Sequence, residues 1–171
     1  MAQGPPSPPR PFIVPLFLPQ AGCPHRCAFC NQRHISGNPR GVPEPAVLGR
    51  QIERFLGYRD ARRGEPQIAF YGGNFLGLGR ALVEKLLTLA QGYVAAGRAA
   101  GIRFSTRPDS VDARSLEWLA PFSVTTIELG VQSMNDRVLT LAGRGHSAGD
   151  SAAATVRLKA AGYRIGAQLM V

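Results

Sequence analysis

Apolar positions along this chain fall into two alternating patterns. Short, nearly continuous apolar blocks bounded by proline, glycine or polar residues occur at Phe12 to Leu18, Gln67 to Tyr71, Ile102 to Thr106, Thr125 to Leu129 and Ile165 to Val171. Blocks of that length suit strands buried on both faces of a parallel sheet. Between them the apolar residues recur at helical spacing: Val47, Leu48, Ile52, Phe55 and Leu56 on one face, then Leu82, Leu86, Leu89 and Tyr93 within about Gly79 to Ala96. Two further helices are expected around Asp112 to Ala120 and Gly149 to Ala161. Strands alternating with helices at these intervals mean βα units wound in one direction.

The expected fold is therefore α/β, a partial (βα) TIM-type barrel with parallel strands. The chain stops inside the fifth strand, so the barrel is expected to be truncated after about five strands and to belong to a longer protein. Residues 1–11 carry Pro5, Pro6, Pro8, Pro9 and Pro11 and read as a disordered leader, with one domain over residues 12–171. Gly37, Pro39, Gly41, Pro43 and Pro45 mark a long loop after Asn31.

In such folds ligands gather beyond the carboxyl ends of the strands. That rule collects scattered residues at one mouth: Cys23, Cys27 and Cys30 after the first strand, Gly72, Gly73 and Asn74 after the second, Ser105, Thr106 and Arg107 after the third, Glu128 and Gln132 at the fourth, and Gln168 on the fifth.

Composition adds limits. With 171 residues, 44% hydrophobic and 18% charged, the chain can bury one core. No apolar run reaches the length of a membrane span, and the first ten residues lack the apolar centre of a signal peptide. A cytoplasmic protein with reduced thiols and no membrane partner is expected. The formal charge of +9 rests on 18 Arg and 2 Lys against 11 acids. Because the arginines are scattered and not interleaved with exposed aromatics, solvated surface is favoured over a dedicated RNA patch.

The candidate chemistry centres on Cys23-Pro24-His25-Arg26-Cys27-Ala28-Phe29-Cys30, which holds all three cysteines of the protein. Thiolates select zinc, copper(I) or iron–sulfur clusters. A structural zinc site closes with four ligands, whereas a [4Fe-4S] cluster held by three cysteines leaves one iron open to a cofactor or substrate. His25 or His34 as a fourth ligand would instead make a zinc-stapled, non-catalytic nucleic-acid-binding module, and a redox pair with a spare thiol is a further alternative.

Four segments together resemble the radical S-adenosylmethionine superfamily, in the subgroup of the elongator catalytic subunit and the oxygen-independent coproporphyrinogen III oxidases. They are GCPHRCAFCNQ at Gly22 to Gln32, FYGGNF at Phe70 to Phe75, IRFSTRPDSV at Ile102 to Val111 and ELGVQSMNDRVL at Glu128 to Leu139. The resemblance makes residues 12–171 the N-terminal part of a radical S-adenosylmethionine core. It implies that Cys23, Cys27 and Cys30 ligate three irons of a [4Fe-4S] cluster while S-adenosylmethionine chelates the fourth. By the same resemblance Phe29 lies against the adenine region, and Gly72-Gly73-Asn74 meets the methionyl amino group through its backbone. The superfamily often carries glutamate where this chain has Asn74.

Ser105, Thr106 and Arg107 match contacts to the methionine carboxylate or the ribose, Glu128 and Gln132 match polar positions at the fourth strand, and Gln168 matches a ribose-binding position. Arg144 is a further carboxylate candidate because guanidinium offers a bidentate fork. His146 reads as a helix cap or a substrate contact. The implied activity is reductive cleavage of S-adenosylmethionine to a 5′-deoxyadenosyl radical that abstracts hydrogen from a substrate. It needs an electron from a flavodoxin- or ferredoxin-type donor. RNA, as for the elongator relative, and a tetrapyrrole or other small molecule are the two substrate classes left open.

Overall fold

The computed structural model describes residues 10–30, 42–59 and 63–170. The leader up to residue 9, the loop punctuation between residues 31 and 41, His34, Arg62 and Val171 lie outside the described residues. Five strands form one parallel sheet in the order β1 (Pro11–Phe17), β2 (Gly64–Tyr71), β3 (Gly101–Thr106), β4 (Val124–Gln132), β5 (Arg164–Leu169). Consecutive order without a reversal distinguishes a barrel arc from a doubly wound sheet. β1 begins at Pro11, within the stretch expected to be leader, because the Arg10 carbonyl accepts the Gly64 N–H at 3.0 Å and starts the ladder there.

The helices follow the expected periodicity. α1 (Pro45–Leu56) opens on proline, whose fixed φ and missing N–H suit a first turn, and buries Leu48 and Ile52. α2 (Arg80–Ala95) buries Val83, Leu86, Leu87 and Ala90. α3 (Ala113–Leu119) starts from a reciprocal Asp112–Ser115 capping box, and α5 (Ala148–Ala160) from a Ser147–Asp150 box, presenting Ser151, Ala154 and Leu158 inward. Between β4 and α5 lies α4 (Asp136–Leu141), which the periodicity does not predict. It is six residues long and buries only Leu139, while Asn135 caps it by accepting the N–H groups of Arg137 and Val138. Short 3₁₀ turns follow β2 at Phe75–Leu78 and β3 at Pro108–Ser110. Among the described residues no helix is long and apolar enough to cross a membrane.

Strand register separates the two faces of the sheet. Leu16, Phe70, Phe104, Ile127 and Ile165 stand in one row across all five strands, and the first four are buried to within 1%. Phe75 from the 3₁₀ turn slides between Phe70 and Phe104, with ring centroids 4.9 and 4.5 Å away in near-parallel stacking. The neighbouring row is polar, with Tyr71, Ser105 and Glu128 facing the opposite side. Helices therefore cover an apolar face and leave a polar one for the interior of the arc.

Phe104 packs at the centre of that row. Its replacement by alanine removes a fully buried ring and its stacking contact with Phe75, so urea denaturation is expected to show a loss of about 3–5 kcal/mol.

Candidate active site at the carboxyl ends of the strands

The glycine turn after β2 and the cysteine loop after β1 are built into one another. The β1–β2 ladder runs on past both strands: Leu18 donates to the Tyr71 carbonyl at 2.7 Å and Gln20 to that of Gly72 at 2.8 Å. Gly72 sits at φ 94°, and a Cβ there would fall 2.8 Å from the Phe17 ring. A Cβ on Gly73 would meet the Ala21 carbonyl at 2.3 Å, and one on Gly22 the Asn74 carbonyl at 2.2 Å. Only side-chain-free backbone permits this approach.

Asn74 joins the two loops to the end of β3. It is 1% exposed. Its Nδ2 donates to the Gly22 carbonyl at 3.1 Å and to Ser110 Oγ at 2.8 Å, and its Oδ1 accepts from Thr106 Oγ1 at 2.7 Å and from the Arg107 N–H at 3.1 Å. Asn74 thus stands behind the cavity wall, apart from the lining residues.

Every other metal- or cofactor-binding residue expected from the sequence lines a single cavity of ≈ 690 Å³: Cys23, Cys27, Cys30, Phe29, Gly72, Gly73, Ser105, Thr106, Arg107, Glu128, Gln132, Arg144 and Gln168. Five strands and their following loops contribute. Cys27 is buried, Cys30 intermediate and Cys23 exposed, and all three are free thiols. Among the described residues no three His, Cys, Asp or Glu side chains converge into a ready-made metal site. The thiols are close enough to feel one another: Cys23 keeps solvent access at the rim, yet the protein packed around its sulfur pushes its pKa up, Arg107 pulls it down, and Cys30 and Cys27 add to the rise.

Two buried guanidinium groups form the floor. Arg107, 3% exposed, pairs both arms with Asp109 at 2.9 Å and donates Nη2 to the Arg144 carbonyl. Arg144, 7% exposed, donates Nη1 to Cys27 Sγ at 3.3 Å and Nη2 to the Gly130 carbonyl, and its guanidinium lies 6.0 Å from the Phe29 ring centroid. Its Nε finds no acceptor among the described residues. With Asp109 the one carboxylate paired to them among the described residues, the floor is net positive beside three sulfurs.

The wall opposite carries residues that sequence reasoning did not assign to the site. Tyr71 donates its hydroxyl to Glu128 Oε1 at 2.8 Å, and Arg103 pairs with the same oxygen while reaching Gln67 Oε1 at 3.3 Å. Burial and then the hydrogen bond to Glu128 push the Tyr71 phenol up to about 12. Arg103 was expected among the solvated surface arginines; it is interior instead, because β3 turns it onto the polar face, where it stands opposite Thr126 and reaches diagonally to Glu128. The signal was an arginine between Ile102 and Phe104 in a strand, and opposite charges on adjacent strands.

Gln132 occupies the left-handed region at φ 67° in a three-residue turn closed by the Ser133 N–H on the Val131 carbonyl. A register shift between Leu129 and Gln132 accompanies it and re-aims the end of β4 into the cavity. His146 does not line the cavity, and Ser147 rather than His146 caps α5. Its Nε2 sits 3.3 Å from the Val131 carbonyl, and burial, with Arg144 nearby, lowers its pKa below the usual histidine range. His25, the candidate fourth ligand that falls within the described residues, lies against Gly145, where a Cβ would come within 2.3 Å of its ring.

A three-cysteine loop beside a glycine turn, at the mouth of singly wound βα units, defines a metallocofactor-dependent barrel enzyme. Residues 17–171 match the model of the radical SAM superfamily, and the chain belongs to that superfamily. It is 36% identical to a tRNA uridine(34) acetyltransferase of Methanocaldococcus infernus, an alignment covering 92% of this chain and 36% of the relative. It is 30% identical to the bovine mitochondrial radical S-adenosyl methionine domain-containing protein 1 over 86% of this chain and 34% of that protein. Among solved structures, the archaeal M. infernus Elp3 with an N-terminal deletion superposes with a TM-score of 0.63 at 20% identity, covering 94% of this chain and 38% of that one. The chain thus spans little more than a third of the length of these relatives. Superfamily members use a [4Fe-4S] cluster and S-adenosylmethionine, and the donor set here fits: three soft sulfur donors with a cationic floor and a carbonyl-rich glycine turn.

Replacing Asn74 with alanine strands the buried Thr106 hydroxyl, the Arg107 N–H and the Gly22 carbonyl. Each buried group left unpaired costs about 1–3 kcal/mol, so urea denaturation should show a loss of about 3 kcal/mol. Asn74→Asp should also destabilise, since a carboxylate cannot supply the two donated bonds.

Proposed function

We propose that this chain forms the cofactor-binding part of a radical S-adenosylmethionine enzyme acting on RNA. The observation that carries the reading is the convergence of all three thiols, the glycine turn and polar side chains from the later strands on one cavity. Cys23, Cys27 and Cys30 would hold the cluster, and S-adenosylmethionine would lie between the cysteine loop and the ends of β2 to β5. When bound, the two cofactors together supply a 5′-deoxyadenosyl radical that abstracts hydrogen from the substrate.

The chain's own residues position and screen. The Gly72-Gly73 backbone can approach the methionyl amino group, with the Gly72 carbonyl keeping a second lone pair beside its bond from Gln20. Arg144 Nε offers a donor for a carboxylate, while the other two guanidinium nitrogens hold Cys27 and Gly130. Arg107 and Asp109 fix the Arg144 backbone from behind. Glu128, oriented by Tyr71 and Arg103, and Gln132 and Gln168 offer hydrogen-bonding groups for ribose hydroxyls, and Phe29 offers a ring face for adenine. Ser105 and Thr106 complete the wall. Asn74 acts through Gly22 and Arg107 and touches no ligand.

RNA is favoured as the substrate class because relatives aligned over 84% and 92% of this chain are named as tRNA uridine(34) acetyltransferases. The formal charge of +9 suits a polyanion. A one-electron donor of flavodoxin or ferredoxin type completes the system, in a reducing compartment such as the cytoplasm.

Anaerobic reconstitution with iron and sulfide, metal analysis and electron paramagnetic resonance of the reduced protein test the reading. About four irons per chain, a spectrum perturbed by S-adenosylmethionine, and loss of both on replacing any of the three cysteines are expected. Stoichiometric zinc without a cluster signal would sink it. Binding of tRNA that weakens linearly in log salt, with no tetrapyrrole binding, is expected for the substrate class.

A further inference from the structure

Arg144 stands in a turn that aims it. Gly143 and Gly145 on either side occupy the left-handed region at φ 63° and 68°, and a Cβ on Gly145 would strike the His25 ring, so both flanking positions favour glycine. The Arg144 N–H donates to the Leu139 carbonyl at 3.0 Å, and its carbonyl accepts from the Arg107 guanidinium. The backbone of the residue is therefore held from two sides. Its guanidinium is held as well: Nη2 donates to the Gly130 carbonyl, and a Cβ on Gly130 would come within 3.2 Å of that nitrogen.

The fixed guanidinium faces a sulfur. Nη1 donates to Cys27 Sγ at 3.3 Å. Cys27 is the most buried of the three cysteines, and both partners of this contact are less than a tenth exposed. Guanidinium keeps its charge at every pH the protein meets. Among the described residues no carboxylate pairs with Arg144 itself, because Asp109 spends both oxygens on Arg107. A full positive charge thus rests against one thiol where water is excluded, and there its field is weakly screened.

We propose that Arg144 raises the reduction potential of the cluster by donating to the sulfur of Cys27. The proposal rests on the iron–sulfur reading above. Reduction adds one electron, hence one negative charge that the ligand sulfurs share. A cationic N–H donor on such a sulfur stabilises the reduced form more than the oxidised one. The three nitrogens then divide the work: Nη2 anchors on Gly130, Nη1 acts on Cys27, and Nε remains without an acceptor among the described residues. The effect on the potential is therefore in place before any ligand carboxylate enters the cavity.

The test is a redox titration of the reconstituted holoprotein without S-adenosylmethionine, so that carboxylate binding plays no part. Dithionite supplies one electron per cluster through mediator dyes, followed by visible absorption and electron paramagnetic resonance. Arg144→Gln removes the charge, Arg144→Lys keeps it without the planar fork, and Arg50→Gln removes an exposed charge from α1 on the outer layer. Arg144→Gln should lower the equilibrium constant for one-electron reduction about tenfold or more, 59 mV toward negative values per tenfold. Arg144→Lys should shift it less, and Arg50→Gln not at all, with about four irons per chain throughout. An unchanged potential in Arg144→Gln would overturn the proposal, and so would an equal shift in Arg50→Gln. Loss of iron from both Arg144 variants would also overturn it, making the residue a support for the cysteine loop. A wild-type chain that takes up no iron would bring down the iron–sulfur reading and the proposal with it.

Discussion

One side-chain amide holds the mouth of this barrel together. Asn74 donates to the segment just before the first cysteine and to Ser110, and accepts from the end of β3, all within a site that excludes water from its side chain. Three loops that follow three different strands are thereby held in one arrangement. Without such a tie, loops at strand ends are the most mobile parts of an α/β fold. The glycines at 22, 72 and 73 make the tie possible, since a Cβ at any of them would strike a neighbouring loop or ring.

Electrostatics then divide the cavity in two. On one side Arg107 and Arg144 are buried with a single paired carboxylate, and their excess positive charge faces the thiols. Desolvating a guanidinium is costly unless its donors are used, and here carbonyls, a carboxylate and a sulfur use most of them. On the other side Arg103 and Glu128 neutralise each other, with Tyr71 completing the carboxylate's shell. One wall therefore suits anionic sulfur and carboxylate groups, and the other suits neutral hydroxyls. The superfamily's cofactor pair carries both kinds of group.

Much of this was legible from periodicity. Apolar blocks of strand length and helical spacing pointed to all five strands and four of the helices, since all but β5, which leaves its side chains exposed or half-exposed, bury residues in the core. α4 escaped because one buried leucine makes no period; only Asn135 followed by Asp136 signalled a helix start. The lining residues were legible because the carboxyl-end rule needs strand order alone. Arg103 was not, since its face depends on register across β3 and β4. Asn74 was placed with the ligand contacts, whereas its side chain turns behind the wall, a choice set by Gly22 and Thr106, residues that sequence spacing does not connect to it.

The residue at position 74 also has a chemical logic. By the resemblance, the superfamily often has glutamate at this position, a longer side chain with acceptors only when ionised. The partners here demand both roles at once: the Gly22 carbonyl needs a donor, while the Arg107 N–H needs an acceptor. An amide meets both demands without charge. A carboxylate would meet one, and would bring a buried negative charge to a position where Arg107 is already paired with Asp109. Asparagine at 74 and the arginine–aspartate pair at the end of β3 are therefore parts of one solution, in which the cationic floor is kept for the sulfurs and the cavity.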